Sequence, residues 1–174
     1  MMRLTGRRMN ALWLYYANAC AAAVPAVTSG LEDVLGLEAH EIELFNPAEF
    51  KNAYHTRRTQ YNASKLLSAL IQHMARVPSA RNAVALWMVR DDMYVTGMNF
   101  VFGLAHTGKA AVLSIHRLYS EELIVKEAIH ELGHVLGLQH CTNECVMRYS
   151  NSLAEAEAKP ARLCERCRAR ISYL

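Results

Sequence analysis

The sequence predicts a mixed α/β (α+β) domain whose small C-terminal part is held together by metal. Three observations predict it. Apolar runs of strand length alternate with segments of helical periodicity up to Gly137. Four of the five cysteines then crowd between Cys141 and Cys167. The Arg-rich stretch around them has poor periodicity of either kind, so metal is the expected source of its folding energy. A length of 174 residues suits one domain, 1–174, and is too short for two with independent cores. That domain divides into a sheet-and-helix part, 1–138, and a four-cysteine part, 139–174.

With 52% hydrophobic and 20% charged residues, and only 8 Gly and 4 Pro, disordered, collagen-like and low-complexity architectures are excluded. A formal charge of +3 is too mild to imply nucleic-acid binding by itself. No internal repeat or linker is visible.

Ala11–Tyr16 is an unbroken apolar run and is expected as a buried strand. Residues 19–34 follow as a helix that tolerates Pro25 only near its first turn or at a kink, because proline lacks a donor and crowds the preceding turn. The stretch from Met9 to Leu31 carries no charge. Preceded by Arg3, Arg7 and Arg8, it imitates a signal peptide or a short membrane span. Asn10, Asn18, Pro25, Ser29 and Gly30 interrupt it, so a strand and a helix are expected instead, with no membrane partner.

Residues 41–45 alternate like a half-buried strand, and a polar stretch runs on through Arg58. Asn62 caps a helix in which Leu66, Leu67, Leu70, Ile71 and Met74 recur at helical spacing, and Val77-Pro78 ends it. Ala83–Val89 and residues 110–115 are further apolar runs. Thr107-Gly108-Lys109 makes a turn, across which residues 99–105 can pair with 110–115 as a hairpin arm. Ser120 opens a helix over residues 121–137. Leu123 takes the place that would complete a capping box, but Glu121 and Glu122 put negative charge at the helix's positive end.

Residues 130–140 read H-E-x-x-H-x-x-G-x-x-H. His130 and His134, four apart on a helix, stack on one face and aim at a common point, with Glu131 beside it. Gly137 can take positive φ, which lets the chain leave the helix sharply and swing His140 back as a third ligand. Three nitrogens hold a catalytic zinc and leave its fourth position open to water, whose pKa falls from near 15.7 towards roughly 7. Glu131 is then the base that takes the water's proton and delivers it to a leaving amine. The plain alternatives are an amphipathic helix with coincidental histidines and a solvated carboxylate at 131. Gly137 and His140, beyond a bare H-E-x-x-H, weigh against both.

Cys141, Cys145, Cys164 and Cys167 have the spacing of a closed tetrahedral site, which suits a second, structural zinc with no open position. An iron–sulfur cluster and disulfides are its rivals. Because Cys141 abuts His140, this metal would fix the loop that presents the third catalytic ligand. An odd cysteine count in close pairs points to a reducing, cytoplasmic compartment. Cys20 reads as a small buried hydrophobe. His40, His55, His73, His106 and His116 show no ligand spacing.

The long histidine motif, followed at once by Cys141, then Cys145-Val-Met147 and Cys164-Glu-Arg-Cys167, resembles the archaemetzincins, which are metzincin-like zinc metalloproteases. The family pattern continues after the third histidine as C-x4-C-x-M-x17-C-x-x-C. Here the gap between the first two cysteines is three residues and that after Met147 sixteen, each one short, while the ligand types are kept. Arg58-Thr-Gln-Tyr61, Asn99-Phe-Val-Phe-Gly103 and Lys126-Glu127-Ala128 also look like family segments. The resemblance therefore covers most of residues 54–167. It implies a metzincin-like mixed sheet with helices above a cleft, a catalytic zinc on His130, His134 and His140, Glu131 as base, and a second zinc on the four cysteines. It further implies that Met147 forms the Met-turn beneath the catalytic metal. Tyr149 gives a Met-x-Tyr order similar to that of astacins, where the tyrosine can approach zinc; a surface or packing tyrosine is its plainer reading. An extended peptide or protein substrate would add to a sheet edge at residues 99–105, or alternatively at 110–115.

The leading functional expectation is a zinc peptidase. A zinc-scaffolded binding protein with little turnover is the first rival, and the retained base Glu131 speaks against it. The second is a nucleic-acid module built on Arg162, Arg166, Arg168 and Arg170. Tyr173 is the tail's single aromatic, no stacking platform is interleaved with the arginines, and no nucleic-acid partner is expected.

Overall fold

The computed structural model describes residues 11–171. The expectations that involve Arg3, Arg7, Arg8, Met9, Asn10 and Tyr173 lie outside the described residues.

Strand β1 (Ala11–Tyr16) is buried over its middle four residues. The helix expected over 19–34 starts later: a 3₁₀ turn covers Asn18–Ala23, and α1 runs Val24–Leu35 with Pro25 in its first turn. Proline cannot donate to the turn behind it, so the α-helix can begin there but cannot pass through. β2 (Ala39–Leu44) forms, but it is not half buried. As the outermost strand it has one neighbour, and Ile42 and Leu44 are 48% and 54% exposed. The polar stretch beyond it holds two 3₁₀ turns and a short hairpin, β3 (Tyr54–His55) with β4 (Gln60–Asn62).

Helix α2 (Ala63–Ala75) is capped as expected, the Asn62 side chain accepting from the Lys65 amide at 3.1 Å. Next come β5 (Ala83–Val89), β6 (Met93–Tyr94), β7 (Gly103–His106) and β8 (Ala110–Ser114). Only the second half of the 99–105 arm is strand. α3 (Glu121–Val135) is capped by the Ser120 hydroxyl, which accepts from the Leu123 amide at 3.2 Å. The tail holds α4 (Leu153–Ala158) and α5 (Glu165–Ile171).

The main sheet has the order β2-β1-β5-β8-β7; its first four strands are parallel, and β7 returns antiparallel along β8. Helices cover both faces, which is why the strands read as unbroken apolar runs. Leu12, Leu14, Leu86, Met88, Ala111 and Leu113 face the core shared with α1 and α3. The alternate residues Trp13, Tyr15, Ala85, Trp87, Val89 and Val112 pack with α2. Val146, Met147, Ala156, Leu163 and Cys167 of the tail belong to the same core as α3, so apolar packing as well as cysteine chemistry anchors this part. Cys20 is buried there too. Because β8 is hydrogen-bonded on both sides, residues 110–115 offer no free edge; the edge belongs to β7. No described helix is long and apolar enough to cross a membrane.

Candidate active site

One turn of α3 sets His130 and His134 side by side, their Nε2 atoms 3.1 Å apart. The helix stops at Val135 because Gly137 takes φ +87°, and the Leu138 amide then bonds back to the Gly133 carbonyl at 2.9 Å. The turn returns His140 to the same point, with its ring centroid 4.7 Å from that of His134 and 5.5 Å from that of His130. One ligand atom from each histidine lies within 4.8 Å of the others.

The backbone decides which nitrogen carries the proton. His130 Nδ1 is 2.8 Å from the Val146 carbonyl and His134 Nδ1 is 2.8 Å from the Leu138 carbonyl. A carbonyl only accepts, so both Nδ1 atoms are protonated donors and both Nε2 atoms present lone pairs. Two facing lone pairs repel, and a cation between them relieves the repulsion. Tetrahedral zinc with Zn–N bonds of about 2.0–2.1 Å places its nitrogens about 3.3 Å apart, so the residues fit that ion. Burial pushes the His130 pKa down to about 2, and the Lys159 charge adds to the fall. His134 and His140 are lowered as well, first by burial. All three imidazoles are thus held in the neutral form that binds metal.

Glu131 is 6% exposed. Burial lifts its carboxyl to about 8, with the Glu127 charge adding and the Lys159 charge opposing. β7 crosses so close that a Cβ at Gly103 would lie 2.6–2.7 Å from the Glu131 Cγ and carboxyl. Glu131 and the three histidines border a cleft of about 280 Å³, which Val95, Met98, Phe100, Val101, Phe102 and Leu104 line with apolar surface.

Behind the cleft, one sulfur from each of Cys141, Cys145, Cys164 and Cys167 lies within 4.8 Å of the rest. The Cys141 and Cys164 sulfurs are 3.8 Å apart, well beyond a disulfide bond, and all four thiols are free. The Cys164 amide donates to the Cys145 sulfur at 3.3 Å, and Asn143 and Arg166 approach the sulfurs of Cys164 and Cys141 at 3.6 Å each. Such donors stabilise thiolates, the form a metal needs. The two shortened loops therefore still bring the four sulfurs together.

The sequence model of peptidase family M54 matches residues 42–173. The chain belongs to peptidase family M54. An archaemetzincin of Archaeoglobus fulgidus is 45% identical over 127 residues, which cover 69% of this chain and 74% of the relative. One of Nanoarchaeum equitans is 36% identical over 154 residues, covering 88% and 85%. The crystal structure of archaemetzincin from Methanopyrus kandleri superposes with a TM-score of 0.82 at 31% identity over 98% of each chain. A zinc-dependent peptidase from Methanocorpusculum labreanum gives 0.82 at 27% identity over 92% and 99%. Membership in M54 bears out the archaemetzincin resemblance and the zinc metallopeptidase class.

In this M54 chain Met147 is fully buried beneath α3, where a Cβ at Gly133 would meet its sulfur at 2.4 Å. Its carbonyl accepts from the Cys141 amide at 2.9 Å, tying the loop after His140 to the segment that precedes α4. Tyr149 is 49% exposed and its ring stands 4.9 Å from that of His140, so it borders the cleft while remaining open to solvent. Among the described residues no other histidine joins either ligand group.

Sequence reasoning missed a buried ion pair. Lys159 and Glu127 are 2.8 Å apart with side chains 1% and 2% exposed, and the Lys159 Nζ lies 3.3 Å from His130 Nδ1. Since that Nδ1 already donates to Val146, the lysine pairs with Glu127 and donates to the Arg148 carbonyl at 3.5 Å, and the close nitrogen feels only its charge. Lys159 sits in the polar stretch Glu155-Ala-Glu-Ala-Lys159, where nothing signals burial. Glu127, four residues before Glu131, was the available clue.

Proposed function

We propose that this chain hydrolyses peptide bonds in the metzincin manner, with Glu131 as general base beside a catalytic zinc on His130, His134 and His140. A second, structural zinc is held by Cys141, Cys145, Cys164 and Cys167. The observation that carries the reading is the convergence of three neutral imidazoles on one point, with the buried Glu131 carboxyl on the same cleft. When bound, zinc supplies a Lewis acid that acidifies water and polarises the scissile carbonyl.

An extended peptide or protein substrate adds to the free edge of β7, whose backbone groups hold it in register across the cleft. A carboxylate oxygen of Glu131 takes the proton of the attacking water as its oxygen bonds to the carbonyl carbon. The same oxygen returns that proton to the amine nitrogen as the C–N bond breaks. The β7 backbone at Gly103 fixes where the carboxyl stands. Met147 is the Met-turn that supports α3 from below, and Tyr149 borders the bound substrate. The sheet-and-helix part and the four-cysteine part work as one domain, a reading supported by their common core. Four reduced thiols at ligand spacing support a cytoplasmic compartment.

The test compares zinc-loaded protein with Glu131→Gln on a mixed peptide library, cut sites being read by mass spectrometry. Cleavage by the first is expected, with the variant slower by about 100-fold or more. No cleavage by either, with two zinc ions found per chain, would overturn the reading in favour of a zinc-scaffolded binding protein.

A further inference from the structure

The apolar side of the cleft is built on residues 98–102, which precede β7 and form no strand of their own. The backbone of Val101 and Phe102 is tied to the sheets, the Val101 amide to the Met93 carbonyl at 2.9 Å and the Phe102 carbonyl to the Ser114 amide at 2.7 Å. The carbonyls before them are held by side chains from 39 to 41 positions away. Arg58 donates through one terminal nitrogen to Met98 O at 3.2 Å and Asn99 O at 3.0 Å, and Gln60 Nε2 donates to Asn99 O at 2.9 Å.

These donors are themselves fixed. Arg58 Nε donates to Gln60 Oε1 at 2.8 Å, and its guanidinium carbon lies 4.2 Å from the Tyr94 ring centre. Gln60, 6% exposed, donates to Asp92 at 2.9 Å. Asp92 receives Arg117 at 2.9 and 2.7 Å, and the Arg117 guanidinium lies 4.1 Å from the Phe100 ring centre, with Phe102 edge-on beyond. The network starts and ends on one loop.

Carbonyls of an exposed loop are satisfied by water without ordering any side chain. Immobilising an arginine and burying a glutamine to hold them is costly, and the return is a loop of one geometry. Both arginine heads are occupied, Arg58 by carbonyls and Arg117 by Asp92, so the wall they hold presents apolar surface. A charged substrate side chain there would lose water without gaining a partner.

We propose that Arg58 is a positioning residue for substrate: with Gln60, Asp92 and Arg117 it holds residues 98–102 as an apolar wall that selects peptides with a large apolar side chain near the scissile bond. The proposal rests on the peptidase reading. Arg58→Ala removes three hydrogen bonds from an exposed side chain that contributes nothing to either core. Arg58→Lys keeps the charge and one donor but not the planar fork.

The test uses fluorescein-labelled nonapeptides that differ only in a central Leu, Phe or Asp. kcat and KM are measured for the zinc-loaded protein and both variants, and binding by anisotropy for each in the Glu131→Gln background. Hydrogen exchange is followed over residues 95–106. For Arg58→Ala, KM and Kd for the Leu and Phe peptides should rise about tenfold while kcat stays within about twofold, and exchange in the segment should accelerate. Preference over the Asp peptide should shrink, and Arg58→Lys should recover part of it. An unchanged KM and Kd with unchanged exchange would overturn the proposal. So would a fall in kcat that is equal for all three peptides, which marks a general structural role. Should the unmutated protein cleave none of these peptides and none of the mixed library, the peptidase reading fails; anisotropy then decides on the wall alone, equal Kd values for Leu and Asp peptides overturning it.

Discussion

Replacing Gly103 by alanine tests whether β7 fixes the position of Glu131. No positive φ is found at Gly103, so the backbone accepts alanine and the perturbation is purely steric. The three atoms nearest the new methyl group all belong to Glu131, at 2.6, 2.6 and 2.7 Å. Ordinary contact requires about 3.4 Å, so the carboxyl must retreat by about 0.8 Å from its 2.6 Å approach. At 6% exposure Glu131 has little free space to take up that shift locally. Misplacement by about 1 Å costs about 100-fold in rate, so a 10- to 100-fold loss in kcat/KM is expected, about 1.4 to 2.7 kcal/mol of barrier. Steady-state kinetics on a cleaved library peptide measure it, with zinc affinity from chelator competition measured alongside. Affinity should hold, because no histidine is among those nearest atoms. A kcat/KM within threefold of the unmutated protein would refute the argument that β7 sets the base.

Truncating the buried ion pair should be far more damaging than replacing it. Lys159→Ala leaves Glu127 buried without a counterion and should cost about 3–5 kcal/mol in urea unfolding, whereas Lys159→Met with Glu127→Leu should recover most of it; equal losses would show that the pair's charge is not what matters. Cys164→Ser should release the structural zinc and weaken retention of the catalytic one through the Cys141–His140 junction, and two zinc ions retained per chain would contradict that coupling. For the metal-free protein, the lowered His130 pKa means that the unfolded chain binds a proton below about 6.5 that the folded one refuses until about 2. Stability should therefore fall as pH drops below about 6.5, with His134 and His140 adding to the fall. The raised carboxyl of Glu131 acts oppositely, withdrawing stability as pH rises from 4.5 towards about 8. With Glu131→Gln removing the opposing carboxyl, a melting temperature that rises on acidification from pH 6.5 to 5 would contradict the lowered histidine pKa values.

Periodicity and spacing determined much of this protein in advance. The 3.6-residue repeat around Leu66 to Met74, the Asn62 and Ser120 caps and the unbroken apolar runs gave α2, α3 and the buried strands, because each depends on neighbours within a few residues, whereas α4 and α5 lie in a tail that reads as aperiodic. H-E-x-x-H-x-x-G-x-x-H was legible for the same reason: one helical turn and one positive-φ glycine suffice to converge three imidazoles. Contacts between distant segments were not legible. Whether residues 41–45 are half buried depends on where β2 falls in the sheet order, and which hairpin arm keeps a free edge depends on β8 being paired twice. Burial of Lys159 against Glu127, the approach of Gly103 to Glu131 and the grip of Arg58 on Met98 and Asn99 join positions 28 to 41 residues apart. No local pattern encodes such pairs, because their free energy comes from desolvation and fit that exist only once the sheet has brought the segments together.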